Sequence, residues 1–185
     1  MELFEAINKR HSVGKVKADA LPRDVIEKLL DAGNQAPNHY KVRPWRFIVL
    51  TGSARNKLGD VMAASFADRN PGLPPEGLDK TRALPLRAPV LIVAAVDKPV
   101  EAKVLEVENL SAVSAACQNI LLAAHALGLG AKWRTGDWAR DAKVKEFLGL
   151  AADQLIAAFI YVGYPEVESE PAVRPSVEDR TVWME

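Results

Sequence analysis

Val90-Leu91-Ile92-Val93-Ala94-Ala95-Val96 is aliphatic at every position, and it restricts the fold more than any other stretch of the chain. A strand with one wet face alternates apolar and polar side chains, so an unbroken run predicts a strand covered on both faces. The run is far too short to cross a bilayer. Two further strands are predicted, Trp45–Leu50 after Pro44 and residues 155–162, and a short one spans residues 131–134. Between them lie helical patterns. Residues 2–10 read as a short helix with Leu3, Phe4 and Ile7 on one face. A second helix starts at Leu21-Pro22, repeats Val25, Ile26, Leu29 and Leu30 at helical spacing, and is expected to stop at Gly33 and Pro37. Residues 55–68 and 142–148 continue the theme. The longest helix is expected over residues 104–127, where Val113, Ala116, Cys117, Ile120, Leu121 and Ala124 follow the helical period until Gly128-Leu129-Gly130. Few, separated strands mixed with helices favour an α+β fold over a doubly wound sheet.

Two stretches resist this reading. Residues 70–89 carry Pro71, Pro74, Pro75, Pro85, Gly72 and Gly77, and are expected to form a long loop or lid with at most one short helix. Residues 165–185 are rich in proline and acid, yet carry Val182-Trp183-Met184. A free tail gains nothing from such side chains, so this arm is expected to dock, either on a second subunit or on its own domain.

The chain of 185 residues suits a single domain, residues 1–185, that can bury a sizeable core. Its 24 basic and 24 acidic residues cancel, so no global field draws it to nucleic acid or to a membrane. A phosphate site would have to be local. The single cysteine, Cys117, excludes an internal disulfide and fits a reducing compartment. The opening Met1-Glu2-Leu3-Phe4-Glu5 lacks the basic start and apolar run of a signal peptide, and a cytoplasmic location is expected.

Metal binding is not expected, because His11, His39 and His125 share no ligand spacing and one cysteine builds no site. No nucleophile elbow, phosphate loop or dinucleotide fingerprint is present. Three polar sets remain. Arg10-His11-Ser12 closes the first helix, where cations complement the helix dipole but would equally suit a phosphate. Trp133-Arg134-Thr135-Gly136 repeats that chemistry after a strand. Gln35-Ala36-Pro37-Asn38-His39 is explained by turn chemistry or by a ligand with carbonyl and ring-nitrogen edges.

Taken in order, these sets resemble the nitroreductase family, in particular its compact branch. The resemblance runs from Arg10-x-Ser12 through Ala36-Pro37-x-His39 and Pro44-Trp45. It continues with Asp79-Lys80-x-Arg82, Arg87-Ala88-Pro89 and Gly128-x-Gly130-x-x-Trp133-Arg134-Thr135-Gly136, and ends at Tyr161-Val162-Gly163-Tyr164-Pro165. It implies an α+β fold with helices flanking a mostly antiparallel sheet, and an intertwined homodimer with two FMN molecules at the interface. By the same resemblance Arg10, His11 and Ser12 would contact the FMN phosphate and ribityl chain. Gln35 and His39 would approach from the partner subunit, and Trp133, Arg134 and Thr135 would complete the site. Ala123, Ala124, His125, Ala126, Leu127 and Gly128 match a segment associated with NAD(P)H. The implied activity is ping-pong transfer of hydride from NAD(P)H to nitroaromatic, quinone or similar acceptors. The alternative is an FMN-binding carrier or sensor without NAD(P)H turnover. One stretch departs from the larger members: Tyr40-Lys41-Val42-Arg43 precedes Pro44-Trp45, where those members carry Asn-x-Gln. His11 and Gln35 also stand where arginine is frequent, which reduces the positive field on a flavin and would alter its potential.

Overall fold

The computed structural model describes residues 1–72 and 74–185. Among them are six α-helices and four strands: α1 Leu3–Lys9, α2 Arg23–Asn34, β1 Trp45–Leu50, α3 Gly52–Arg69, α4 Pro75–Arg82, β2 Val90–Val96, α5 Glu106–Ala126, β3 Gly130–Arg134, α6 Ala142–Phe147 and β4 Leu155–Gly163. The strands form one antiparallel sheet in the order β1-β2-β4-β3. The fold is α+β, as expected.

The aliphatic run becomes β2, whose seven residues are all buried. It pairs with β1 on one side and β4 on the other, and its side chains divide between two cores by strand alternation. Val90, Ile92, Ala94 and Val96 face α2 and α5, meeting Leu29, Val113, Cys117, Ile120 and Ala124. Leu91, Val93 and Ala95 face α3 and the α6 region, meeting Leu58, Met62, Val144 and Leu148. Helices therefore cover both faces, which is why the run needs no polar position. The register of β2 against β4 shifts between Ala94 and Ala95, so that Ala157 has no partner across the ladder.

Cys117 lies fully buried on α5, and burial pushes its thiol up to about 12. The helix then closes on a left-handed glycine. Gly128 has φ +72°, and the Leu129 N–H donates back to Ala124 O at 2.8 Å, satisfying a carbonyl at the helix end.

The second helix ends at Asn34, between Gly33 and Pro37 as expected. Gly33 also marks the close crossing with α5 and β1, since a Cβ there would lie 3.0 Å from Ile120 Cγ1 and 3.1 Å from Phe47 Cζ. One expectation changes. Of the 70–89 stretch expected as a loop or lid, residue 73 lies outside the described residues, and Pro75–Arg82 and Leu84–Arg87 are helical and anchored. Pro75 starts α4 at a position where its missing N–H costs nothing, a 3-10 turn Leu84–Arg87 follows, and Thr81 and Pro85 are buried. The helix seats against α3 so closely that a Cβ on Gly59 would stand 2.2 Å from Arg82 O.

The apolar face of α1 and the end of the arm are uncovered. Phe4 is 76% exposed, Trp183 85% and Met184 94%.

Candidate functional site

Strand β3 organises the polar sets. Its outer side is flanked by the segment that follows α1: Val13 N–H donates to Ala131 O at 3.0 Å, and Lys17 N–H donates to Tyr164 O at 2.7 Å. The sequence places Arg10 as the residue closing α1, its N–H donating to Ala6 O, and these bonds carry Arg10-His11-Ser12 to the beginning of β3. Gly130 is required there, because a Cβ would meet Val13 at 2.8 Å. His11 is held by two bonds, Nδ1 to Lys9 O at 2.9 Å and Nε2 to Ser169 Oγ at 2.7 Å.

Alternation along β3 sends Lys132 and Arg134 to one face and Trp133 to the other. Trp133 packs into the core on the α5 side, and its indole N–H donates to Ala157 O, the residue left unpaired by the bulge. It anchors the strand, whereas Arg134 and Thr135 are exposed. The Lys132 ammonium lies 3.7 Å from where a Cβ of Gly14 would be, so it stands between the two basic sets. From Gly130 to Arg134 the strand spans about 13 Å.

At the far end of β3 is a pocket of ≈ 300 Å³. Arg134, Thr135 and Gly136 form one wall, Arg87 and Tyr161 bring polar groups, and Leu58, Met62, Trp138 and Phe159 make the apolar remainder. Gly136 turns away at φ +81°, a conformation that favours glycine. Burial raises the Tyr161 phenol above its ordinary value, and Arg87 and Arg134 pull it down. Lys132, Arg87 and Tyr161 were not among the site residues expected from sequence. Period-two alternation carries the signal for Lys132, whereas Arg87 and Tyr161 reach the pocket only through the pairing of distant elements.

The end of α5 adjoins Arg10-His11. His125 and Gly128 line a cleft with Lys9, His11 and Ser169, whereas Ala124 is fully buried. His125 Nε2 is buried without a partner among the described residues. Burial holds its pKa below the ordinary value, with His11 and Arg10 pushing the same way.

Gln35 and His39 lie elsewhere. Gln35 caps α2, and His39 opens a 3-10 turn, its Nδ1 3.0 Å from Glu108 Oε1 near the start of α5. From Glu108 to His125 the helix rises about 25 Å. The two sets therefore sit at opposite ends of α5, and one subunit does not bring them together. The intervening Tyr40, Lys41 and Arg43 all have positive φ, at 50°, 56° and 48°. Each costs roughly 1 kcal/mol or more, and Asn38 Oδ1, accepting the Arg43 N–H at 2.9 Å, helps to hold the strained turn.

A sequence model described as "Nitroreductase family" matches residues 7–164. The chain belongs to the nitroreductase family. It is 27% identical to the putative NAD(P)H nitroreductase YdjA of Escherichia coli K12, over all of this chain and 98% of that one. A nitroreductase-like protein from Bacillus cereus superposes with a TM-score of 0.87 at 26% identity, covering 100% and 97% of the two chains. A putative nitroreductase from Desulfovibrio desulfuricans, solved in complex with FMN, superposes with a TM-score of 0.78 at 27% identity, covering 100% and 98%. Residues 7–164 include all three polar sets. The apolar segment 182–184 lies beyond the match.

Proposed function

We propose that the chain is an FMN-dependent oxidoreductase, cytoplasmic and homodimeric, that takes hydride from NAD(P)H and reduces nitroaromatic, quinone or similar acceptors. The observation that carries this reading is the string of cations along β3. It runs from Arg10, past Lys132, to Arg134 and Arg87 at an apolar pocket. An elongated ligand with a phosphate at one end and a flat, hydrogen-bonding ring at the other fits such a string. Its donors suit FMN: guanidinium and hydroxyl for the phosphate, Arg134, Thr135 and Arg87 for ring oxygens, Trp138 and Tyr161 beside the ring. The FMN complex of the Desulfovibrio relative supports the same choice.

Bound there, FMN would accept and return a hydride, the chemistry that no side chain of this site supplies. The protein's own part is to bind and to orient. Arg10 and Ser12 would fix the phosphate, and Lys132 would offset its remaining charge. Arg134 and Arg87 would stabilise negative charge at the ring edge. Nicotinamide and acceptor would use one pocket in turn, which gives ping-pong kinetics, and Leu84 and Arg87 from the 70–89 stretch shape its wall. His125 and Gly128 offer the open contacts at the end of α5 for NAD(P)H.

The placement of His39 and of Arg10 at opposite ends of α5 supports a site shared by two subunits, with Gln35 and His39 reaching the partner's ligand. The exposed apolar side chains of α1 and of arm 165–185 supply surface for that contact. The absorption spectrum of the purified protein tests the whole reading. A flavin spectrum that bleaches on anaerobic addition of NADH or NADPH is expected. A yellow protein that does not bleach would be a carrier or sensor, and a colourless one that takes up no added FMN would overturn the proposal.

A further inference from the structure

Trp138 lines the ≈ 300 Å³ pocket at the end of β3, yet little regular structure surrounds it in the chain. It sits in a short 3-10 turn, Asp137–Ala139, entered through Gly136 at φ +81°. A connecting segment of this kind is ordinarily among the more mobile parts of a fold. What fixes Trp138 comes from α3. The Arg69 guanidinium lies over the indole, 5.1 Å from its ring centroid, and Phe66 makes an edge contact with centroids 6.3 Å apart. Arg69 covers one face, so the pocket meets the remainder of the ring.

An exposed cation is a poor anchor, because holding a long side chain in one place costs entropy. Arg69 is 45% exposed along its side chain, but Asp141 holds it. That carboxylate is only 4% exposed, and both of its oxygens are engaged. Oδ1 accepts the Val144 N–H at 3.0 Å and so caps α6. Oδ2 accepts the Ser65 hydroxyl at 2.5 Å and stands 3.1 Å from Arg69 Nη2. Arg69 Nε also donates to Ser65 O at 3.3 Å. The tie between α3 and α6 is already made by Leu58, Met62, Val144 and Leu148 in their shared core. An ion pair of this kind adds little stability over a well-packed apolar pair. Its distinctive effect is geometric: it aims one planar cation at one indole.

We propose that Arg69 is a positioning residue for this pocket: held by Asp141, it fixes Trp138 as a rigid wall against which flat aromatic acceptors stack. The proposal rests on the reading of the pocket as the place where flavin and acceptor meet, and adds what sets the preference for planar acceptors.

Steady-state kinetics of the full chain, loaded with FMN and supplied with NADH or NADPH, test it with two acceptors. 1,4-Naphthoquinone is flat and has to enter the pocket. Ferricyanide takes single electrons from reduced flavin and needs no wall to stack on. Arg69→Gln should raise the KM for naphthoquinone about fivefold, as loss of one aromatic stacking contact does, with kcat and ferricyanide turnover within about twofold of wild type. Arg69→Lys keeps a cation for both Asp141 and Trp138 and should recover most of the loss. Trp138→Ala should raise that KM at least as much, and Arg69→Gln should add nothing in its background. Titration of the oxidised protein with naphthoquinone, without donor and read by flavin fluorescence, should give the same order of affinities. Equal losses with both acceptors in Arg69→Gln, or losses that multiply in the double variant, overturn the proposal and leave the proposed function standing. So does an unchanged naphthoquinone KM in either single variant, and the Trp138→Ala result decides alone should Arg69→Gln fail to fold. A wild-type protein that holds flavin but reduces neither acceptor overturns the proposed function, and this inference with it.

Discussion

Arg10 and His125 lie side by side but answer to different physics. Arg10 closes a short helix beside the opening of β3, where a phosphate would accept from its guanidinium. Replacing it by alanine should cost about 2–4 kcal/mol of FMN binding, the usual loss when a charged hydrogen bond to a buried group is removed. A flavin titration monitored by fluorescence checks this, and an affinity equal to wild type would remove Arg10 from the site. For His125 the folded-state pKa is lowered, so the unfolded chain binds the proton more readily. Above both values His125 contributes nothing to the pH dependence; as pH falls through the ordinary histidine value near 6.5, stability declines. Denaturant melts of His125→Asn should show a shallower loss of stability between about pH 7 and 5 than wild type. Parallel curves would place the acid sensitivity on other groups. Arg10 was readable from sequence as an anion candidate because its neighbours are basic and hydroxylic. Its nearness to His125 was not, since that depends on where α5 ends against β3.

At the level of elements, periodicity was informative, and glycine was so at the end of α5, where Gly128 closes the helix, but not inside helices. The β1 and β2 boundaries follow directly from apolar runs and flanking prolines, because strand burial is a one-dimensional pattern. Gly33 and Gly59 are crossing points, where another element comes too close for a side chain. In Gly59→Ala the helix-propensity gain of about 1 kcal/mol is opposed by a Cβ that would meet the Arg82 carbonyl, a backbone atom with little room to move. The clash wins. A net destabilisation of about 1–3 kcal/mol is expected in thermal or chemical unfolding, and a stabilised variant would show that α3 and α4 do not pack this closely. The 70–89 stretch departs from its expected loop for a related reason. Pro74, Pro75 and Pro85 sit at helix starts, where they are harmless, and only the tertiary contacts of Thr81 and Pro85 reveal the anchoring.

For the whole molecule, the family and the order of the polar sets were legible in sequence, whereas their distribution along α5 was not. That distribution makes a single subunit incomplete under the proposed function. Removing residues 175–185 should therefore lower dimer affinity and FMN retention together, since the arm would help to hold the subunit that brings His39. Sedimentation velocity with parallel flavin absorbance checks the coupling; a truncated chain that stays dimeric and yellow would separate the arm from both.

The buried Cys117 has a practical corollary. Its thiol is shielded by α5 packing and kept protonated at neutral pH, and reactivity towards alkylating agents and peroxide belongs to the thiolate. Peroxide would find no reactive thiolate at the chain's single cysteine. The same shielding makes the native protein a silent background for labelling: one cysteine engineered onto the arm would be the sole fast-reacting thiol, ready to carry a fluorophore or spin probe.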